Sequence, residues 1–180
     1  MQYDKKGFTL IELLVIMSIT VLMTIALFAN YGKGNDSLAL ERSSQKLSQD
    51  LRRAQEMAMS GFEGSVSSNG YGIYFDKTSG SEGKYVIYMN NNTNMYYESG
   101  TDTDKETVNI ESGIKICNIK DNSLDLNNVS VSFEPPDPLT YISSNYSGHE
   151  ASIVLCVIKD ISQTRTIKIN NAGRIEVTNP

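Results

Sequence analysis

The sequence predicts an α+β protein: one long N-terminal helix, membrane-spanning in its first half, packed on an antiparallel β-sheet head. Three observations carry that expectation. Residues 8–29 read FTLIELLVIMSITVLMTIALFA, an apolar run whose only charge is Glu12. Residues 37–60, SLALERSSQKLSQDLRRAQEMAMS, place apolar side chains at helical spacing, and from Gly70 onward the period changes to two. With 180 residues, 39% of them hydrophobic and 21% charged, the chain is long enough for one sizeable core plus a tail.

As a helix rising about 1.5 Å per residue, the first run reaches roughly 33 Å, against a hydrocarbon core of about 30 Å. A cleaved secretory signal would carry an apolar region of about 7–15 residues ending in a small-x-small site. Leu27, Phe28 and Ala29 offer a single small residue instead. A plain anchor explains the length but not Glu12, because an acidic side chain at mid-membrane costs on the order of 2.5–3.5 kcal/mol and usually has a partner or a role. Lys5 and Lys6 precede the run, so the positive-inside bias puts the N-terminus in the cytoplasm and the rest outside, as a single pass.

The next stretch, NYGKGNDS, holds Gly32 and Gly34, and predicts a weak point where the helix bends or melts. Helix resumes over 37–60, with Asn35, Asp36 or Ser37 as N-cap and Gly61 as stop. Leu40, Leu47 and Ala54 recur every seven residues, as do Ser44, Leu51 and Ala58, a narrow apolar stripe that seats the helix on a sheet. Three repeats with Ser44 in the seam make a poor coiled coil.

YGIYFD, KYVIYMN, TVNI, GIKICNI, NVSVSF, ASIVLCVIKD, RTIKIN and RIEVT then read as strands, which predicts an antiparallel head of seven or eight. INNAGRI is a hairpin signal with Gly173 supplying a positive φ. Residues 90–105 and 134–148 read as long loops, the second kept irregular by PPDP at 135–138.

The order in KKGFTLIELLVIM, basic residues, Gly, Phe, Thr, Leu, then Glu and unbroken apolar sequence, resembles the class III signal of type IV prepilins and type II secretion pseudopilins. The resemblance implies a pilin-like fold, cleavage after Gly7 by the membrane-embedded prepilin peptidase, N-methylation of Phe8, and a requirement for Glu12 in assembly. Physics agrees with that assignment: cleavage leaves an α-amino cation on Phe8, and a carboxylate four residues along can pair with it or with a neighbour's. The implied segments are a leader over 1–7, a membrane and assembly helix over 8–29, a hinge and amphipathic helix over 30–61, and a β-rich head over 62–180. Implied partners are other pilin or pseudopilin subunits through the N-terminal helix, the peptidase, an assembly platform, and membrane lipid before assembly. The implied location is the inner membrane and then the filament, whether type IV pilus, competence pilus or secretion pseudopilus.

LSQDLRRAQEMAMSG and the closing TRTIKINNAGRIEV further resemble minor pseudopilins of the GspH/FimT type, which implies a minor subunit near a filament tip. Some members of that type bind DNA through a basic Gly-Arg-x-Arg. Here Gly173, Arg174, Ile175 and Glu176 put an acid where the second Arg would stand. With a net charge of −5, this argues against DNA as a ligand of Arg165, Lys168 and Arg174, because phosphate contacts need clustered cations. A tip-binding module for DNA or adhesion is the alternative function.

The remaining residue types point to no enzyme, cofactor or metal. One His, no Trp and two Cys leave little material for a metal cluster or a catalytic constellation. Asp102, Asp104 and Glu106 alternate like calcium-loop carboxylates, and Asp121, Ser123 and Asp125 do so more weakly, but neither has the full ligand set. His149 reads as a surface residue, and the sequons at Asn91, Asn128 and Asn145 are expected by chance in an Asn-rich chain. Cys117 and Cys156 sit in apolar strands outside the membrane, where a disulfide persists if geometry allows; two buried thiols are the alternative.

Overall fold

The computed structural model describes residues 7–60, 69–122, 124–135, 139–144, 146–147 and 150–178. The chain forms two compact units, Met1–Asn35 and Asp36–Pro180. Helix α1 runs Leu10–Ser60. Its helical backbone is unbroken through Gly32 and Gly34, so the glycines do not melt it. Each costs about 1 kcal/mol relative to Ala, a penalty spread over a helix of 51 residues.

In the first unit, Leu13 N donates to Thr9 O at 3.2 Å, which closes the first helical turn and makes Thr9 the N-cap. Every side chain from Leu10 to Leu27 is exposed, and this stretch is long and apolar enough to cross a membrane. Its hydroxyls turn back onto the helix: Ser18 Oγ donates to Val15 O at 2.8 Å, Thr20 Oγ1 to Met17 O at 2.9 Å and Thr24 Oγ1 to Thr20 O at 2.7 Å. Polar groups in hydrocarbon require such internal partners.

In the second unit both predicted heptad rows are buried, Leu40, Leu47 and Ala54 with Ser44, Leu51 and Ala58. They face a core built from two sheets. The first has the order β3 (Thr103–Asn109), β2 (Lys84–Asn90), β1 (Gly70–Asp76), β6 (Asn128–Glu134), β7 (Leu139–Ser144), β8 (Tyr146–Ser147). The second runs β11 (Ile175–Thr178), β10 (Thr164–Asn170), β9 (Glu150–Val157), β4 (Ile114–Asp121), β5 (Leu124–Leu126). All eight predicted runs are strands. The count rises to eleven among the described residues because β5, β7 and β8 are added.

β7 and β8 correct the expectation of a loop over 134–148. Three- and two-residue strands such as β5 and β8 carry no readable period, and LTYISS of β7 alternates behind a proline-rich stretch. Alternation fills the core from both sheets: Tyr71, Ile73 and Phe75 of β1, Tyr85, Ile87 and Met89 of β2, and Ile153, Leu155 and Val157 of β9 all enter it. Each such side chain contributes about 1.5–3 kcal/mol on burial.

The stretch 90–105, expected as a loop, folds as a strap across the outer face of the first sheet. β3 already begins at Thr103. Tyr97 N donates to Ser130 Oγ at 3.0 Å, and Ser132 Oγ donates to Met95 O at 2.8 Å. The Tyr97 ring lies 4.6 Å from that of Tyr74 and 5.0 Å from that of Tyr88. Tyr88 is wholly buried on a face the core does not use, its hydroxyl 2.5 Å from Ser132 Oγ, and burial pushes that hydroxyl's pKa up. Gly72 is what admits it: a Cβ there would stand 2.7 Å from the Tyr88 hydroxyl and 2.6 Å from Val131 O.

Candidate functional site

The sequence-predicted processing site opens the first unit. Gly7 and Phe8 precede α1, nothing lies within 4 Å of the place a Gly7 Cβ would occupy, and Phe8 is exposed. Lys5 and Lys6 lie outside the described residues. Glu12 is the third residue of the helix, where it and Thr9 close a reciprocal capping box. Thr9 N donates to Glu12 Oε2 at 2.9 Å, Thr9 Oγ1 donates to the same oxygen at 2.8 Å, and Glu12 N donates to Thr9 Oγ1 at 3.3 Å. Among the described residues no donor reaches Glu12 Oε1. T-x-x-E ahead of an apolar run is the sequence signature of this box.

The cations near the C-terminus are each paired with a carboxylate. Arg165 Nε donates to Glu41 Oε2 of α1 at 3.1 Å, and Lys168 Nζ to Glu150 Oε1 at 3.0 Å. Arg174 pairs with Glu176, two residues along its own strand end. Each positive charge is therefore met by a carboxylate, which lowers its attraction for phosphate. The hairpin that carries Arg174 forms as predicted. Gly173 takes φ 74° and its N–H donates to Asn170 O at 2.9 Å, while Asn170 Oδ1 accepts from Ala172 N and Arg174 N.

Further ties join α1 to the sheets. Arg42 Nη2 reaches Glu111 Oε1 at 2.7 Å and Arg53 Nη1 reaches Glu106 Oε2 at 2.8 Å. Tyr85, buried on β2, donates its hydroxyl to Asp50 Oδ2 at 2.5 Å; desolvation first, then Asp50, drives its pKa far up. The Glu41 carboxyl is held below its ordinary range by the Gln45 amide at 2.8 Å and then by Arg165.

The acidic alternation separates into different duties. Asp102 accepts from the backbone N–H of Asn91 at 3.0 Å and of Glu98 at 2.8 Å, Asp104 accepts from the Tyr97 hydroxyl at 2.8 Å, and Glu106 holds Arg53. Asp121 is buried in β4, and Asp125 accepts from Asn118 Nδ2 at 2.8 Å. Ser123, Asn145 and His149 lie outside the described residues.

Cys117 and Cys156 are joined as a disulfide, with Cα atoms 5.8 Å apart. Lys115 is the residue directly opposite Cys156, and the β4–β9 register shifts between Ile116 and Asn118. Cys117 is thus the extra residue of a bulge, which turns it toward a cysteine it does not face in the ladder.

Residues 3–28 match the family model described as the prokaryotic N-terminal methylation motif, so the chain carries a prepilin-type N-methylation motif. The sequence matches no curated protein sequence. Two crystal structures of the type IV minor pilin FimU of Pseudomonas aeruginosa share 12% and 13% identity with it, at TM-scores of 0.47 and 0.45. Both cover 77% of this chain, and the alignments span 87% and 92% of theirs.

Proposed function

We propose that the chain is a minor pilin or pseudopilin, cut after Gly7, N-methylated at Phe8 and assembled near the tip of a type IV pilus or type II secretion pseudopilus. The observation that carries this reading is Glu12 itself, the one charge in the apolar run over 8–29, four residues from the amine that cleavage would create. Hydrolysis of the Gly7–Phe8 peptide releases the leader carboxylate and leaves a protonated amine on Phe8, and methylation preserves that charge. Glu12 Oε2 is occupied by Thr9, whereas Oε1 accepts from no donor among the described residues and is left to a cation from a neighbouring subunit. In low-dielectric surroundings such a pair sets the register of one helix against the next.

Before assembly the helix crosses the inner membrane once, with Lys5 and Lys6 on the cytoplasmic side and the head outside. That compartment also suits the disulfide. Partners are the other subunits, the prepilin peptidase and the assembly platform. The subunit's role is structural.

Mass spectrometry of assembled protein tests the processing. The expected N-terminus is a methylated Phe8, and an intact Met1 in the filament contradicts the reading.

A further inference from the structure

The strap over the first sheet opens with NNNTNMYYE, in which Asn90, Asn92, Asn94 and Glu98 stand at the first, third, fifth and ninth places. Those places supply side-chain oxygens in calcium-binding loops. Asn90 Oδ1 accepts from Asn92 N at 2.9 Å and Asn92 Oδ1 from Asn94 N at 3.1 Å, which coils the stretch. Glu98 closes the coil: its Oε2 accepts from Asn92 Nδ2 at 3.2 Å and its Oε1 from Asn94 Nδ2 at 2.7 Å.

Two further observations point to a cation. Asn94 Oδ1 is buried and accepts no hydrogen bond among the described residues. Buried oxygens of folded proteins are nearly always satisfied, and an orphan marks the place of an ion or a water. Asp102, 8% exposed, lies at the far end of the same coil, its two oxygens accepting from Asn91 N and Glu98 N. Among the described residues neither Asp102 nor Glu98 is paired with a lysine or arginine. Carboxylates withdrawn from water ordinarily meet a cation or a metal.

Geometry places the orphan oxygen within reach of Glu98. The oxygen and nitrogen of an amide head are about 2.2 Å apart, so Asn94 Oδ1 lies no more than about 5 Å from Glu98 Oε1. Calcium holds its oxygens at about 2.3–2.6 Å, and one ion therefore bridges the two. An amide oxygen has a second lone pair, so Asn92 Oδ1 can hold the ion and the Asn94 N–H together.

We propose that the coil from Asn90 to Glu98 binds calcium, with Asn92 Oδ1, Asn94 Oδ1 and the Glu98 carboxylate as protein ligands and water completing the shell. The donor set is all oxygen, which suits a hard cation and offers nothing to a thiophilic or imidazole-seeking metal. A single carboxylate among the ligands limits the affinity to a Kd of about 10⁻⁴–10⁻³ M. The bound ion fixes the strap whose Tyr97 ring covers Tyr74 and Tyr88. The site lies wholly in the second unit and depends on neither the membrane span nor assembly.

Isothermal titration of the full chain in a neutral detergent with calcium chloride tests this. The expected result is one saturable site per chain. Glu98→Gln should bind about tenfold more weakly, and Asn94→Asp, which keeps the oxygen and adds a charge, about tenfold more tightly. Asp125→Asn, in β5 at the edge of the second sheet, should match wild type. The gain in Asn94→Asp keeps the outcome decisive even where Glu98→Gln loosens the strap. No saturable binding up to about 10 mM calcium overturns the proposal. Equal binding by all four proteins places the ion elsewhere and overturns it too, as does an Asn94→Asp protein that binds no more tightly than wild type. Magnesium chloride binding as tightly as calcium overturns the assignment to calcium.

Discussion

Thr9 and Glu12 hold each other at the start of α1, each accepting a backbone N–H of the other while the Thr9 hydroxyl also donates to the carboxylate. Glu12 therefore serves the helix end as well as any neighbour, and the two duties separate by substitution. Glu12→Gln keeps an acceptor for Thr9 but removes the charge. Its helix start should persist while its recovery in sheared filaments falls to that of Glu12→Val. Wild-type recovery of Glu12→Gln by immunoblot would refute an ionic role.

Gly72 and Tyr88 set the outer face of the first sheet. Gly72→Ala places a methyl 2.7 Å from the Tyr88 hydroxyl and 2.6 Å from Val131 O. Overpacking of this kind costs about 1–3 kcal/mol, which lowers the melting temperature by several degrees. Tyr88→Phe should not rescue it, because the Val131 carbonyl stays in place. Thermal unfolding of the two variants checks both statements.

Glu41 links α1 to β10 through Arg165. Its carboxyl pKa is lowered from 4.5, by the Gln45 amide and then by Arg165. The folded state therefore releases the proton more readily than the unfolded chain. The resulting stability is present above the ordinary carboxyl pKa and is lost as pH falls through the lowered one. Glu41→Gln should flatten the loss of melting temperature below about pH 4.5 relative to wild type. Parallel acid limbs for the two proteins would count against the linkage.

The Cys117–Cys156 bond closes a loop with a sequence separation of 39. Chain-entropy arguments give such a crosslink about 4 kcal/mol. Cys117→Ala/Cys156→Ala should lose roughly that in urea unfolding, and reduction of the wild type should match it. An unchanged midpoint on reduction would show that the bond contributes nothing.

Arg165, Lys168 and Arg174 are each engaged by an acid. A gel-shift titration with duplex DNA should show no salt-dependent binding. Binding at low salt that disappears in Arg165→Ala/Arg174→Ala would reverse that expectation.

The apolar run, the heptad rows and the eight long strands were legible because each rests on a period repeated within a few residues. The strap over the first sheet was not. Asn91, Glu98 and Asp102 resemble loop composition, and only their hydrogen bonds to one another, with those of Tyr97 to Ser130 and of Ser132 to Met95, make the stretch a fixed cover. Gly7, Phe8 and Glu12 could be proposed from the sequence alone, since they are neighbours in the chain.

By itself, the sequence determined a membrane-length helix with one carboxylate near its start, an amphipathic continuation, and a β-rich head, since hydropathy and alternation are local properties. Tertiary structure decided which strands share a sheet, that Cys117 meets Cys156 across a bulge, that Arg165 answers Glu41, and that Lys159 answers Asp36. Those relationships join residues far apart in the chain, and their geometry depends on how the sheets and helix pack together.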